Sequence, residues 1–140
     1  MRLRPIAATA AALMLAGCAT TTAAAPSVQT SAEAATCQGQ AVPVVVSVDQ
    51  WGDITSSLGG ECAQVTTILA SSSVDPHTYE PTTGDLAEFT GAMLVVINGA
   101  GYDTWASKAV ATVSPAPAVV DGGAVVGVGP GANPHLWYNP

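Results

Sequence analysis

Two histidines are the residues in this chain best suited to chemistry, and there are no others. Each follows a proline in a short polar and aromatic segment: Asp75-Pro76-His77-Thr78-Tyr79-Glu80-Pro81 and Asn133-Pro134-His135-Leu136-Trp137-Tyr138-Asn139-Pro140. Imidazole is the commonest side-chain metal ligand. Proline fixes its own φ and biases the preceding residue away from helix, so each ring is presented on a stiff loop. Read without further context, the pair is either a divalent-metal site or two exposed loop residues. Other chemistry has less support. Ser71-Ser72-Ser73 has no neighbouring base to make a nucleophile. No two carboxylates sit in surroundings that would separate their acidities. Gly127-Val128-Gly129-Pro130-Gly131 lacks the Lys-Ser/Thr of a phosphate loop and is interrupted by Pro130, so it reads as a flexible loop. Nothing in the residues supports an enzyme.

The elements that must position these loops follow from apolar periodicity. Val42 to Val48 is an almost continuous β-branched run, the pattern of a strand buried on both faces of a parallel sheet. Asp49 is placed to cap a helix whose apolar face is Trp51, Ile54 and Leu58, and Gly59-Gly60 stops it. Val65 to Ala70 is a second strand, followed by the His77 loop. Thr82 and Asp85 have capping-box spacing before a helix through Leu86 and Phe89. Met93 to Asn98 is a third strand. Gly99-Ala100-Gly101 turns the chain, and Asp103 is placed to cap a helix with Trp105, Ala106, Ala109 and Val110 on one face. Ala118 to Val120 is a fourth strand; Gly122 to Gly131 gives no assignment. Alternating strands and helices predict an α/β fold, a parallel β-sheet flanked by helices. In such folds ligands gather beyond the carboxyl ends of the strands. His77 follows the second strand and His135 the fourth, so the topology brings both to one edge of the sheet.

The first residues carry an address rather than a fold. Met1-Arg2-Leu3-Arg4 is basic, and the apolar run from Ile6 to Ala16 is too short to span a bilayer, which is the pattern of an export signal. It ends in Leu15-Ala16-Gly17-Cys18, which resembles the lipobox of bacterial lipoproteins and implies a lipid on Cys18. The Ala, Thr, Ser and Pro that follow read as a flexible tether. The expected organisation is a signal peptide over residues 1–17, lipidated Cys18 and tether over 18–40, and a folded lobe over 41–140. The predicted location is extracytoplasmic, anchored to the bacterial membrane by its N-terminal lipid. Ten acidic residues stand against three cationic ones, for a formal charge of −7. Two of the three, Arg2 and Arg4, fall in the signal, leaving Lys108. Nucleic acid is excluded as a natural partner by that balance. Cys37 and Cys62 are an even pair in an exported domain and read as one disulfide. The other reading, free thiols or soft metal ligands, lacks C-x-x-C spacing or a nearby histidine.

Taken together, Asp75-Pro76-His77-x-Tyr79-Glu80-Pro81, Asp85, Val96-Ile97-Asn98-Gly99-Ala100-Gly101-Tyr102, Trp105 and Pro134-His135-Leu136-Trp137-Tyr138 resemble the N-terminal lobe of the solute-binding lipoproteins of zinc and manganese ABC importers. The resemblance runs from Val44 to Pro140. It implies that His77 and His135 are ligands of a transported divalent metal, with no organic cofactor and with an ABC permease as partner. Asp75, Glu80 and Asp85 are nearby candidates to support the imidazoles, but their positions favour local roles: Asp75 in the turn, Glu80 on the loop and Asp85 in the first turn of the helix. It also implies a two-lobed, periplasmic-binding-protein-like fold with further ligands from a second lobe. The expectation is therefore a fragment or truncated form carrying the N-terminal lobe alone. Two imidazoles favour zinc over the harder manganese. The competing expectation from a different class is a surface-anchored adhesion lipoprotein whose contacts do not need metal.

Overall fold

The computed structural model describes residues 37–138. The signal over 1–17, Cys18 and the tether as far as residue 36 lie outside the described residues, as do Asn139 and Pro140. The elements are β1 (Val42–Val48), α1 (Asp49–Gly59), a 3-10 turn (Gly60–Cys62), β2 (Ala63–Leu69), α2 (Thr83–Glu88), β3 (Leu94–Ile97), α3 (Thr104–Val110), β4 (Ala118–Asp121), α4 (Gly122–Val126) and a last 3-10 turn (Leu136–Tyr138). The strands form one four-stranded sheet in the order β2-β1-β3-β4. Every pairing is parallel, with Val45 opposite Thr66 on one side and Val95 on the other, and Val95 opposite Val119.

The strand order explains why β1 has no polar face. It lies between β2 and β3, and Val44 to Val48 are all buried. Val45 and Val95 pack with Phe89, Trp105, Ala106 and Ala109 beneath α2 and α3. Val44, Val46 and Val96 turn the other way and pack against Trp51 of α1. Helices thus cover both faces, as the alternating pattern requires. The coverage by α1 is partial. An apolar groove of about 440 Å³ runs beside it, lined among others by Val42, Leu58, Leu94 and Val120. Cys37 and Cys62 are disulfide-bonded across 25 residues with Cα atoms 4.9 Å apart, tying the start of the lobe to the turn before β2.

Several local expectations change. The N-cap of α1 is Val48, without a side-chain cap, and the Asp49 carboxylate accepts instead from the Gln50 backbone N–H at 2.9 Å. Leu58 is 85% exposed, so the covered part of the apolar face of α1 is Trp51 and Ile54, while Leu58 borders the open groove. β2 begins at Ala63, earlier than its β-branched run, because pairing with Val42 and Pro43 extends it backwards. The unassigned glycine-rich stretch opens with α4, nucleated by the Asp121 side chain accepting from the Ala124 N–H at 3.0 Å and closed by Gly127 in the left-handed region. The capping box at Thr82 and Asp85 forms as its spacing predicts.

Candidate metal site

The sheet order reverses between β1 and β3, since β1 runs on to β2 on one side while β3 and β4 lie on the other. The carboxyl end of that junction is where a parallel sheet of this kind opens a crevice. The loop after β3 fills it. Gly99, Ala100 and Gly101 have φ of 71°, 52° and 83°, three successive left-handed residues that fold the chain back sharply. Glycine suits this position, because its positive φ is one that side chains rarely adopt and a Cβ would meet the Asp121 carboxylate. The turn carries Tyr102, whose N–H donates to the Gly99 carbonyl at 2.9 Å.

Asp103 stabilises this turn in a way its spacing did not predict. It does not cap α3. Its buried carboxylate accepts from the backbone N–H of Asn98 at 2.7 Å and of Gly99 at 2.9 Å. Those donors lie just past the end of β3, where the ladder no longer supplies partners, and buried N–H groups must be paired.

Both histidines pack against Tyr102. The His77 ring meets it edge-on with centroids 4.9 Å apart, and the His135 ring does the same at 5.9 Å. Tyr102 is 7% exposed, and both imidazoles are exposed. Residues 58 positions apart in sequence, from loops after β2 and after α4, therefore share one buried aromatic platform. Trp137 closes the far side, 5.2 Å from Tyr102 and 5.3 Å from His135. Burial pushes the Tyr102 phenol above its ordinary range, reinforced by the negative charges of Asp49, Asp75 and Asp103. His77 lines a groove of about 540 Å³ with Glu80, Trp105 and Lys108. Its neighbours Asp75 and Pro76 line a second cleft of about 280 Å³ that reaches Asp49 and Tyr102.

The two loops use the same device. In each, the residue two before the histidine accepts its backbone N–H: Asp75 Oδ1 from His77 at 2.9 Å and Asn133 Oδ1 from His135 at 3.1 Å. These are Asx turns, with proline at the central position. At His135 the same Asn133 oxygen also lies 2.7 Å from ring Nδ1. An amide oxygen only accepts, so Nδ1 carries the proton and Nε2 keeps its lone pair free for a metal.

Asp75 and Asp85 take the local roles their positions suggest, in the turn and in the first turn of α2. Asp75 bonds the His77 backbone and not its ring. Asp85 accepts from the Tyr79 hydroxyl and from the Thr82 hydroxyl and N–H, all at 2.7 Å. Those bonds, first that from Tyr79, pull its carboxyl below the usual range; the same bond raises the Tyr79 phenol. Tyr79 in turn packs edge-on against Trp105 at 5.0 Å, which fastens the His77 loop to α3. Asn133 is the support that residue-type reasoning passed over. Its signal was present as the repeated Asx-Pro-His spacing. Among the described residues no group of three or more His, Cys, Asp and Glu side chains converges as a metal cluster. Cys18 lies outside the described residues, and Cys37 and Cys62 sit at the opposite, amino end of the sheet beside the start of β2.

The architecture first defines the class. The chain is similar over 70% of its length to the SBP FpvC from P. aeruginosa, solved in complex with a Ni²⁺ ion, with a TM-score of 0.57, 26% identity and 37% of that chain covered. A zinc-bound ZnuA deletion mutant gives a TM-score of 0.52 and 28% identity, covering 59% of this chain and 31% of the other. Both are metal-binding proteins, and the shared part is the parallel-sheet lobe. Residues 44–140 match the family described as ZnuA, zinc-uptake complex component A, periplasmic, and the chain belongs to that family. Among curated relatives it is 29% identical over 106 residues to the manganese-binding lipoprotein MntA of Halalkalibacterium halodurans, a match covering 72% of this chain and 35% of the relative. It is 33% identical over 64 residues to a putative metal-binding protein of Treponema pallidum, covering 46% of this chain and 20% of that one. The chain thus spans about a third or less of the curated relatives it matches.

Proposed function

We propose that this chain is the N-terminal lobe of an extracytoplasmic solute-binding lipoprotein that captures a divalent transition metal, zinc by preference, for an ABC permease. His77 and His135 are the ligands this lobe contributes. The observation that carries the reading is that both rings rest on Tyr102 while Asn133 leaves His135 Nε2 free. Membership of a zinc-uptake family supports it, as do relatives named for metals. Zinc has no directional preference of its own and binds imidazole nitrogen at about 2.0–2.1 Å. Closed sites take about four ligands, so two imidazoles leave positions for water or for groups from a second lobe. Imidazole suits zinc better than manganese, which prefers oxygen. Cys18 would carry the lipid that keeps the lobe at the membrane, close to the permease.

Isothermal titration of the chain with Zn²⁺ and with Mn²⁺ tests this. The expected result is zinc binding that exceeds manganese binding, is weakened in His77→Ala and in His135→Ala, and is lost when both histidines are replaced. Metal and protons compete for the same ring nitrogens, so acid should weaken zinc binding. Zinc binding that survives loss of both histidines would remove the proposal.

A further inference from the structure

Asn98 sits at the end of β3 with its side chain fully buried. A primary amide has two N–H donors and an accepting oxygen to satisfy. All are used, and the partners belong to separate segments. Oδ1 accepts from the Trp51 indole N–H of α1 at 2.8 Å. Nδ2 donates to the Gly99 carbonyl at 3.1 Å and to the Pro134 carbonyl at 2.9 Å. Its backbone carbonyl accepts from the Gly123 N–H of α4 at 2.8 Å. Four stretches that are distant or sharply turned in sequence therefore meet on one side chain and its peptide groups.

Two of those bonds reach the metal site. The Pro134 carbonyl belongs to the peptide bond that leads into His135. It also accepts from the Leu136 N–H at 2.8 Å, a three-residue γ-turn with His135 at its centre. Proline fixes its own φ and the peptide is planar, so holding that carbonyl fixes where the His135 backbone begins. The Gly99 carbonyl is shared with the Tyr102 N–H. The two donors of a single amide thus grip the His135 loop and the turn that carries the platform for both rings.

We propose that Asn98 is a positioning residue that registers the His135 arm of the metal site onto Tyr102 and the sheet. This rests on the metal-binding reading above. It differs from a packing role, because the amide's distinctive contribution is two donors aimed at the two carbonyls that define the site. Loss of such supporting partners costs about 10- to 100-fold in metal affinity.

The test is a zinc titration of the full chain and its variants. Asn98→Asp keeps an acceptor for Trp51 and removes both donors; Asn98→Leu keeps the volume and serves if the buried carboxylate prevents folding. Either variant, folded by circular dichroism, should bind zinc about 10- to 100-fold more weakly. Phe89→Leu, a core change on the α2 and α3 side, should stay within about twofold. In the metal-free chain, ¹⁵N NMR of the His135 ring should show its Nδ1–H tautomer losing population in the Asn98 variants and not in Phe89→Leu. In a His135→Ala background, Asn98→Asp should add no further loss of zinc affinity. Unchanged zinc affinity and tautomer in the Asn98 variants, with His77→Ala and His135→Ala both impaired, overturns this inference and leaves the metal reading standing. A further loss in the His135→Ala background overturns the route through Pro134. Undiminished zinc binding in the histidine variants overturns the metal reading and this inference with it.

Discussion

Truncating Tyr102 to alanine should damage the lobe and its site together. The ring is 7% exposed and packs at centroid distances of 4.9 Å from His77, 5.9 Å from His135 and 5.2 Å from Trp137. Removing a buried aromatic side chain costs about 3–5 kcal/mol, and each edge-on ring pair supplies about 0.5–1.5 kcal/mol of that. Small domains have about 5–15 kcal/mol in total, so Tyr102→Ala removes a large share of it. With a urea m-value of about 1–3 kcal/mol/M, the unfolding midpoint should fall by at least about 1 M. Tyr102→Phe separates ring from hydroxyl. Among the described residues the hydroxyl makes no hydrogen bond, so the phenylalanine variant should lie within about 1 kcal/mol of the parent. Zinc affinity should follow the same order: Tyr102→Ala weakened by about tenfold or more, Tyr102→Phe close to the parent. The assay is urea unfolding followed by tryptophan fluorescence, paired with zinc titration. Equal damage from Phe and Ala would refute the platform argument and make the hydroxyl the operative group. Unchanged zinc affinity in a folded Tyr102→Ala would refute it from the other side.

Other perturbations have equally definite outcomes. Asp103→Ala should cost several kcal/mol in urea unfolding, because it strands two buried N–H donors at about 1–3 kcal/mol each. Asp85 titrates lower in the folded lobe than in the unfolded chain, so the unfolded chain binds more protons between those two values. Stability should therefore be intact above about pH 4 and decline as pH falls below it, with a shallower acid decline in Asp85→Asn, read by acid titration of circular dichroism. Replacing Cys37 and Cys62 by serine opens a cross-link spanning 25 residues and should lower unfolding free energy by about 3 kcal/mol, measured against the oxidised parent.

The fold was largely legible because its strands are short apolar runs and α2 begins at a capping box. Val42 to Val48 announces a central parallel strand, and Thr82 with Asp85 announces the start of α2. The misreadings share a cause. Asp49 and Asp103 have the residue type and spacing of N-caps, yet where each carboxylate points is set by which backbone donors the tertiary fold leaves unpaired. At Asp103 these are the donors of Asn98 and Gly99, five and four residues upstream. Leu58 has helical spacing, yet it borders the open apolar groove beside α1 and stays exposed. The histidines were legible as residues, and their common neighbour was not. Tyr102 joins them only once β3 lies between β1 and β4 and three left-handed residues turn the chain. Asn98 reads in sequence as a strand end, and its bond to Pro134 spans 36 residues that no local pattern connects.

The central claim is that a divalent metal is held by His77 and His135. X-ray absorption at the zinc edge of the zinc-loaded chain tests it most directly. Two imidazole nitrogens at about 2.0–2.1 Å are expected, with light-atom neighbours completing the shell. His135→Ala should remove one imidazole from the signal. A spectrum without imidazole scattering, or one unchanged by loss of both histidines, would contradict it.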